Sequence, residues 1–191
     1  MQRTLEQNPN VPTEEAIRTL SERVKPYLTG KRYAHTVSVA EEAARLGEIF
    51  GFSKDDVNRL RVSALMHDIT KLADYKKQLQ YCEEFGIIIK PEKNVSASVL
   101  HGITGAGLAA RDFAAYADAD ILSGIRWHTT GKANMTTLEK VIYLADMLSE
   151  ERSYPEKEGL LQLVWEKGLD AAMEQALKDS INWLREKKGE I

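Results

Sequence analysis

The chain has 191 residues, of which 43% are hydrophobic and 29% are charged, and this is the balance of an ordinary soluble globular domain. Its formal net charge of -3, without a block of basic residues, argues against a general nucleic-acid-binding protein, because such proteins need a positive surface to displace counterions from phosphates. The single cysteine, Cys82, excludes an intramolecular disulfide and a cysteine zinc cluster, and it fits a reducing cytoplasm.

Helix-forming patterns follow one another along the chain. Thr13, which is followed by two acidic residues, is expected to cap a first helix that ends near Pro26. Gly51 ends the second predicted helix, and Ser53 caps the third, after which the pattern becomes less regular. We expect a loop with an extended piece at 86–94, where three isoleucines precede a proline. The other helices are predicted at about 31–50, 54–66, 98–116, 118–128, 136–149 and 169–186.

The pattern predicts an all-α fold without a sheet. No segment alternates with period two for long enough to form a paired strand, and no repeat or linker divides the sequence. We therefore predict one domain over residues 1–191, with a core at about 20–175 and a C-terminal packing helix at about 169–186. We expect no signal peptide, because the N-terminal segment carries Arg and Glu but no apolar stretch. We expect no membrane span either, because no apolar run approaches the roughly 18 residues that a span needs.

Histidine and aspartate side chains fall on helix faces that are otherwise apolar. From His35, the positions four, eight, eleven and fifteen residues later are all apolar, so His35 is predicted to point into the core. His67 ends a helix with an apolar inner face, and His128 follows two isoleucines at helical spacing. Asp146 lies on the same stripe as Leu138 in a helix that is mostly apolar.

A carboxylate on a core-facing stripe needs a partner, because burying it alone costs several kcal/mol or more. Asp146 raises this question, and Asp68, directly after an apolar helix, raises it again. Each residue alone has an ordinary explanation as a hydrogen-bonded core histidine, a capping or ion-paired aspartate, or a chance His-Asp dipeptide. Together, acids and histidines that face inward from several helices favour a shared cation, and these ligands suit iron, manganese, zinc or magnesium.

The order His35, His67-Asp68, Asp146 resembles the signature of HD-superfamily phosphohydrolases. The segments KRYAHTVSVAEEAARL, ALMHDITK, HGITGAG and IRWHTTGKANMTTLEKVIYLAD, with the nearby Arg152, are similar to the YqeK branch of that superfamily over roughly residues 20–175. The resemblance implies an all-α, HD-type helical bundle. It also implies a bacterial enzyme that hydrolyses diadenosine tetraphosphate symmetrically to two ADP.

The same resemblance implies roles for individual residues. It places one divalent metal ion on His35, His67, Asp68 and Asp146, and a second ion, bridged by Asp68, on His101 and His128. We expect iron, with manganese, zinc or magnesium as alternatives. Asp68 and Lys71 are the predicted catalytic residues, although a solvated surface lysine explains Lys71 equally well. The predicted substrate-binding residues are Arg32, Thr129, Thr130, Lys132 and Arg152.

Several alternatives remain open at the level of sequence. Thr129 and Thr130 are also typical of a simple helix-ending loop, and the glycines at 102, 105 and 107 serve either close approach to the site or tight helix packing. Residues 149–152 read Ser-Glu-Glu-Arg where the resemblance leads us to expect an acid-Pro-X-Arg turn. Alternative functions are another HD-type reaction, as a nucleotidase or deoxynucleoside triphosphatase, or a non-catalytic nucleotide sensor. We expect a nucleotide as the partner, without nucleic acid or membrane, and a homodimer is left open.

Overall fold

The computed structural model describes residues 12–89 and 95–189, with side chains up to residue 186. Within these residues the fold is all-α, as predicted, and contains no strand. Short 3₁₀ turns follow the first helix at Lys25–Tyr27 and the fifth at Ala114–Tyr116. The helices are α1 (Glu14–Val24), α2 (Gly30–Ile49), α3 (Lys54–Met66), α4 (Tyr75–Glu84), α5 (Ala97–Asp112), α6 (Ala119–Trp127), α7 (Thr137–Leu148), α8 (Lys157–Lys167) and α9 (Leu169–Gly189).

Side-chain caps explain where most of these helices begin. Thr13 and Ser53 accept hydrogen bonds from backbone N–H groups three residues later, as their positions in the sequence predicted. Thr136 forms a full capping box with Glu139 at the start of α7. These caps satisfy backbone donors that have no partner inside the helix, so the start of each capped helix is set locally.

The stretch after α3 differs from the sequence prediction, because it contains the helix α4. Asp74 caps this helix by accepting a hydrogen bond of 2.8 Å from the backbone N–H of Lys77. Only Gln78 and Cys82 of α4 are buried, so too few inward positions repeat to produce a clear helical pattern. Residues 86–89 form no regular element, as predicted, and the rest of the predicted loop, 90–94, lies outside the described residues.

The core is built around α2, α3 and α7. α2 packs against both α3 and α7, and α6 lies against α3, α5 and α7. α9 packs on α7 and α8 and buries Ala172, Met173 and Ala176, whereas Trp183 further along is 55% exposed. The extent of a single domain over 1–191 stays a prediction. None of the helices in the described ranges has the length and apolar character needed to cross a membrane.

Glycine at position 102 allows α5 and α6 to approach closely. A Cβ atom at Gly102 would lie 2.8 Å from the backbone oxygen of Arg126, a contact that real structures do not tolerate. At Gly105, the corresponding atom would lie 3.4 Å from the side chain of Ile125. Tight helix packing therefore accounts for Gly102, and the close contact brings His101 and His128 to neighbouring positions.

Gly102→Ala is expected to destabilise the protein by about 1–3 kcal/mol, because the new methyl group must push the α6 backbone away. The matched control is Gly159→Ala in α8, where a Cβ atom meets no heavy atom of the described residues within 4 Å. This control should be neutral or stabilising by up to about 1 kcal/mol, the intrinsic helix preference of alanine over glycine. Urea denaturation measures both, and equal midpoints would contradict the packing explanation.

Candidate metal centre

Five helices bring the predicted ligand residues together. His35 lies within α2 and Asp146 within α7, whereas His101 lies in the second turn of α5. His67 and His128 are the C-terminal capping residues of α3 and α6. Asp68 follows His67 directly, and it is 2% exposed at the centre of the group.

The first part of the centre lies between α2, α3 and α7. The Nε2 atom of His35 is 3.1 Å from Oδ1 of Asp146 and 3.8 Å from Oδ2 of Asp68. The Nε2 atom of His67 is 3.4 Å from the same Oδ2 atom. Potential ligand atoms of His35, His67 and Asp146 all lie within 4.8 Å of one another, so these three residues could hold one metal ion.

The second part of the centre faces the other oxygen of Asp68. Oδ1 is 3.2 Å from Nε2 of His101 and 3.6 Å from Nε2 of His128, and these two nitrogens are 3.0 Å apart. Potential ligand atoms of Asp68, His128 and His67 lie within 4.8 Å of one another. The two candidate groups therefore share His67, while Asp68 directs one oxygen toward each pair of histidines.

Unsatisfied buried atoms test whether the centre fits a metal ion. Nε2 of His35, Nε2 of His67 and Oδ1 of Asp68 are buried and have no hydrogen-bond partner among the described residues. Buried polar atoms are almost always hydrogen-bonded, so three such atoms converging on one region indicate a missing partner. Imidazole nitrogens with carboxylate oxygens are a ligand set that divalent transition metals favour. The residues therefore fit a divalent metal ion.

Hydrogen bonds at the helix ends orient two of the imidazole rings. Nδ1 of His67 is 2.6 Å from the backbone oxygen of Ala64, and Nδ1 of His128 is 2.7 Å from that of Ile125. These carbonyls belong to the last turns of α3 and α6, where the regular helical ladder ends and a side chain can reach a backbone oxygen; that of Ala64 also accepts from the backbone N–H of His67 at 3.3 Å. With Nδ1 donating to a carbonyl, Nε2 carries the free lone pair that a metal ion requires.

The electrostatic environment keeps the acids ionised. Burial raises the pKa of Asp68, but the surrounding imidazoles of His67, His101 and His128 outweigh this effect and hold the pKa well below the ordinary value. Burial lowers the pKa of His101 to about 4, so this ring is neutral at pH 7. Ionised carboxylates and neutral imidazoles are the protonation states that bind metals.

Three of the predicted cationic residues border the centre. Arg32 contacts Oδ2 of Asp68 at 2.9 Å, and Arg152 contacts Oδ1 of Asp146 at 2.6 Å. The ammonium group of Lys71 lies 3.2 Å from Nε2 of His101 and 4.0 Å from Oδ1 of Asp68. Burial lowers the pKa of Lys71. The structure therefore brings Arg32, Lys71 and Arg152 to the ligand residues.

Of the predicted substrate-binding residues after His128, only Thr129 contacts the histidines of the centre, whereas Thr130 and Lys132 contact other residues. The hydroxyl of Thr129 lies 3.1 Å from Nε2 of His101 and 3.0 Å from Nε2 of His128, directly beside the centre. Thr130 instead donates to the backbone oxygen of Gly131 at 3.1 Å. Lys132 forms an ion pair of 2.8 Å with Glu139, whose side chain is fully buried. The roles of these residues in substrate binding stay predictions.

Sequence reasoning missed two sets of supporting residues. Glu151, in the turn after α7, contacts Nδ1 of His35 through its carboxylate. Burial raises the pKa of Glu151, but hydrogen bonds from His35 and neighbouring groups outweigh this and lower it to about 2. Thr70 donates to the backbone oxygen of His101 at 2.9 Å and accepts, through its own backbone oxygen, from Gln78 at 2.7 Å. Glu151 and Thr70 lie in turns, and Gln78 lies in a helix that the sequence did not predict, so helical periodicity carries no signal for them.

Lys132→Ala is expected to destabilise the protein by about 2 kcal/mol, because it leaves the buried Glu139 carboxylate without its charged partner. Lys140→Ala is the matched control, since its partner Asp170 is 85% exposed and the pair should contribute less than about 1 kcal/mol. Chemical denaturation measures both variants. A raised KM without lost stability would instead favour a phosphate-binding role for Lys132.

This stabilisation should depend on pH in a defined direction. Burial raises the pKa of Glu139, but Lys132 and the hydrogen bonds outweigh it and lower the pKa below the ordinary 4.5. The contribution is therefore present above pH 4.5, where the unfolded chain also carries the charge, and it is lost as the pH falls through the folded-state value. The difference in free energy of unfolding between the wild type and Lys132→Ala should therefore shrink as the pH falls below 4.5.

Comparisons with known proteins agree with this geometry. The HD domain family matches residues 32–151. The chain is 35% identical to the symmetrical bis(5'-nucleosyl)-tetraphosphatase of Bacillus subtilis, over 86% of this chain and 85% of the relative. It is 32% identical to the protein of the same description from Halalkalibacterium halodurans, over 88% and 87% of the two chains.

A solved structure also resembles the whole fold. It is a crystal structure from Clostridium acetobutylicum, described as a predicted HD superfamily hydrolase involved in NAD metabolism. The TM-score is 0.82 at 29% identity, over 90% of this chain and 88% of that one. The chain therefore belongs to the HD-domain family, in the branch represented by these tetraphosphatases.

Proposed function

We propose that this chain is a metal-dependent hydrolase that cleaves diadenosine tetraphosphate symmetrically to two ADP. The observation that carries the proposal is the complete histidine and aspartate cluster in a chain 35% identical, over most of its length, to a symmetrical tetraphosphatase. The buried Cys82 and the absence of a membrane-spanning helix among the described residues are consistent with a cytoplasmic enzyme.

The ligand assignment follows the two faces of Asp68. One ion would be held by His35, His67, Asp68 and Asp146, and a second by Asp68, His101 and His128. Iron is our first expectation, with manganese, zinc or magnesium as alternatives. Divalent ions bound there would polarise the phosphoryl group and activate a water molecule for attack.

The cationic residues at the centre would neutralise the phosphate chain. Arg32 and Arg152 contact the carboxylates of Asp68 and Asp146, and both arginine side chains remain partly exposed, at 29% and 43%. They can therefore contact a phosphate while they stay close to the ligand residues. Thr129 offers a hydroxyl group at the same place, 3.0 Å from His128. Positioning and charge neutralisation of this kind are most of what phosphoanhydride hydrolysis needs from a protein.

Lys71 is the proposed proton donor. Water adds to one of the two inner phosphorus atoms, the central P–O–P bridge breaks, and the departing ADP oxygen takes up a proton. The ammonium group of Lys71 lies beside His101, and its pKa is lowered by burial, which makes the proton easier to transfer. Asp68 acts in the same step by holding both halves of the centre together.

A different nucleotide phosphoanhydride is the second candidate substrate. It is motivated by the structural relative from Clostridium acetobutylicum, which is described as involved in NAD metabolism. The metal centre would be the same in both cases, so products distinguish the two reactions. A non-catalytic nucleotide sensor would give no product with either substrate.

Protein purified without chelator should contain bound divalent metal, and His67→Ala should lose it, because His67 belongs to both candidate ligand groups. His101→Ala should keep the first ion and lower activity. Elemental analysis measures the metal content of each variant. Arg126→Ala is the control, since Arg126 is exposed near His128 and outside the ligand set. A full metal complement in His67→Ala would contradict the assignment.

Hydrolysis of diadenosine tetraphosphate in oxygen-18 water should give ADP as the product, with one heavy oxygen atom in half of the ADP molecules. Asp68→Ala should reduce turnover by more than about 100-fold. Loss of a residue that only supports a metal ligand costs up to about that much, whereas Asp68 is itself the proposed shared ligand. Chromatography with mass spectrometry measures both results. AMP plus ATP would contradict symmetrical cleavage, even with metal bound.

A further inference from the structure

The turn between α7 and α8 contacts two of the proposed ligands from outside. The carboxylate of Glu151 contacts Nδ1 of His35, and the next residue, Arg152, contacts Oδ1 of Asp146 at 2.6 Å. His35 and Asp146 themselves face each other, with 3.1 Å between Nε2 and Oδ1. Adjacent residues of one turn therefore hold the two sides of one ligand pair. This turn is also where the sequence departs from the expected acid-Pro-X-Arg pattern.

His35 needs such a partner because of its place in the helix. His67 and His128 end their helices, so their Nδ1 atoms bond to backbone oxygens of the last turn. His35 lies within α2, where the backbone oxygens are already used by the helix itself. Its Nδ1 atom therefore needs an acceptor from another part of the chain, and Glu151 supplies that acceptor.

Glu151 is itself held in place. The hydroxyl of Ser149 donates to its carboxylate at 2.9 Å. The backbone N–H of Glu150 donates to the hydroxyl of Ser38 on α2 at 3.1 Å, which ties the turn to the helix that carries His35. The carboxylate is therefore fixed by its neighbours, although 42% of the side chain is exposed.

We propose that Glu151 is a positioning residue for metal binding: it accepts a hydrogen bond from Nδ1 of His35, so that Nε2 keeps its free lone pair and faces Asp146. A carboxylate acceptor also makes the ring a stronger ligand than a backbone carbonyl does. The inference rests on the proposed metal centre. It adds to that proposal a residue outside the predicted ligand set.

The test compares Glu151→Ala and Glu151→Gln with Glu150→Gln, which removes the same charge from an exposed neighbour. Chelator-treated full-length proteins are titrated with Mn²⁺ and with Zn²⁺ by calorimetry, and circular dichroism checks their fold. Glu151→Ala should weaken metal binding by about 10- to 100-fold. Glu151→Gln should weaken it less, because the amide oxygen still accepts a hydrogen bond, and Glu150→Gln should match the wild type within about twofold.

A spectroscopic readout separates positioning from a merely structural effect. In the Zn²⁺-loaded wild type, nitrogen-15 NMR should show His35 with its proton on Nδ1, hydrogen-bonded and slow to exchange. Glu151→Ala should make this proton exchange faster while the signals of His67 and His128 stay unchanged.

Equal Mn²⁺ and Zn²⁺ affinities of Glu151→Ala and the wild type would overturn the inference and leave the proposed metal centre intact. An equal loss in Glu150→Gln would also overturn it, because the effect would then be one of charge alone. A wild type that binds neither ion would overturn the proposed centre together with the inference.

Discussion

The burial of the Asp68 carboxylate is the constraint on which the rest of the structure depends. This side chain is 2% exposed within a core of apolar helices, so its charge has to be compensated inside the protein. Its two oxygens face different histidine pairs, with His67 and His35 near one, and His101 and His128 near the other. Four helices must therefore meet around one carboxylate, and a fifth, α7, brings Asp146 to His35. The helix contacts that form the core therefore also bring the residues of the candidate metal centre together.

The fold supplies the proposed imidazole ligands from two kinds of position. His67 and His128 stand at helix ends, where backbone oxygens of the last turn orient their rings without any further side chain. His35 and His101 stand inside helices, where backbone oxygens are already bonded. His35 is oriented by Glu151, whereas the backbone of His101 is held by Thr70 through its carbonyl oxygen. The helix-end ligands therefore depend on local structure, and the other two depend on segments that are distant in sequence.

Charge at the centre is balanced locally, although the chain as a whole has a net charge of -3. Arg32 and Arg152 pair with Asp68 and Asp146, and Lys71 lies 4.0 Å from Asp68. A divalent cation on the carboxylates would take over this compensation, so that the same side chains could contact phosphate oxygens. An acidic protein can thus present a positive site to an anionic substrate without a basic surface elsewhere. Lys132 differs from these cations because the structure pairs it with the buried Glu139.

The sequence by itself determined the all-α class, the positions of most helices and the inward direction of the candidate ligand residues, because caps and helical periodicity are local properties. Ser53 at the start of α3 and the apolar stripe through His35 are examples. The resemblance of short segments indicates the HD family without any knowledge of tertiary contacts. Only the tertiary structure revealed α4, which buries too few residues to show a pattern, and the contact of Glu151 with a histidine 116 residues away. Only the tertiary structure likewise shows which histidines face each oxygen of Asp68. Helix packing sets which side chains meet across the core, and no local sequence pattern encodes that geometry.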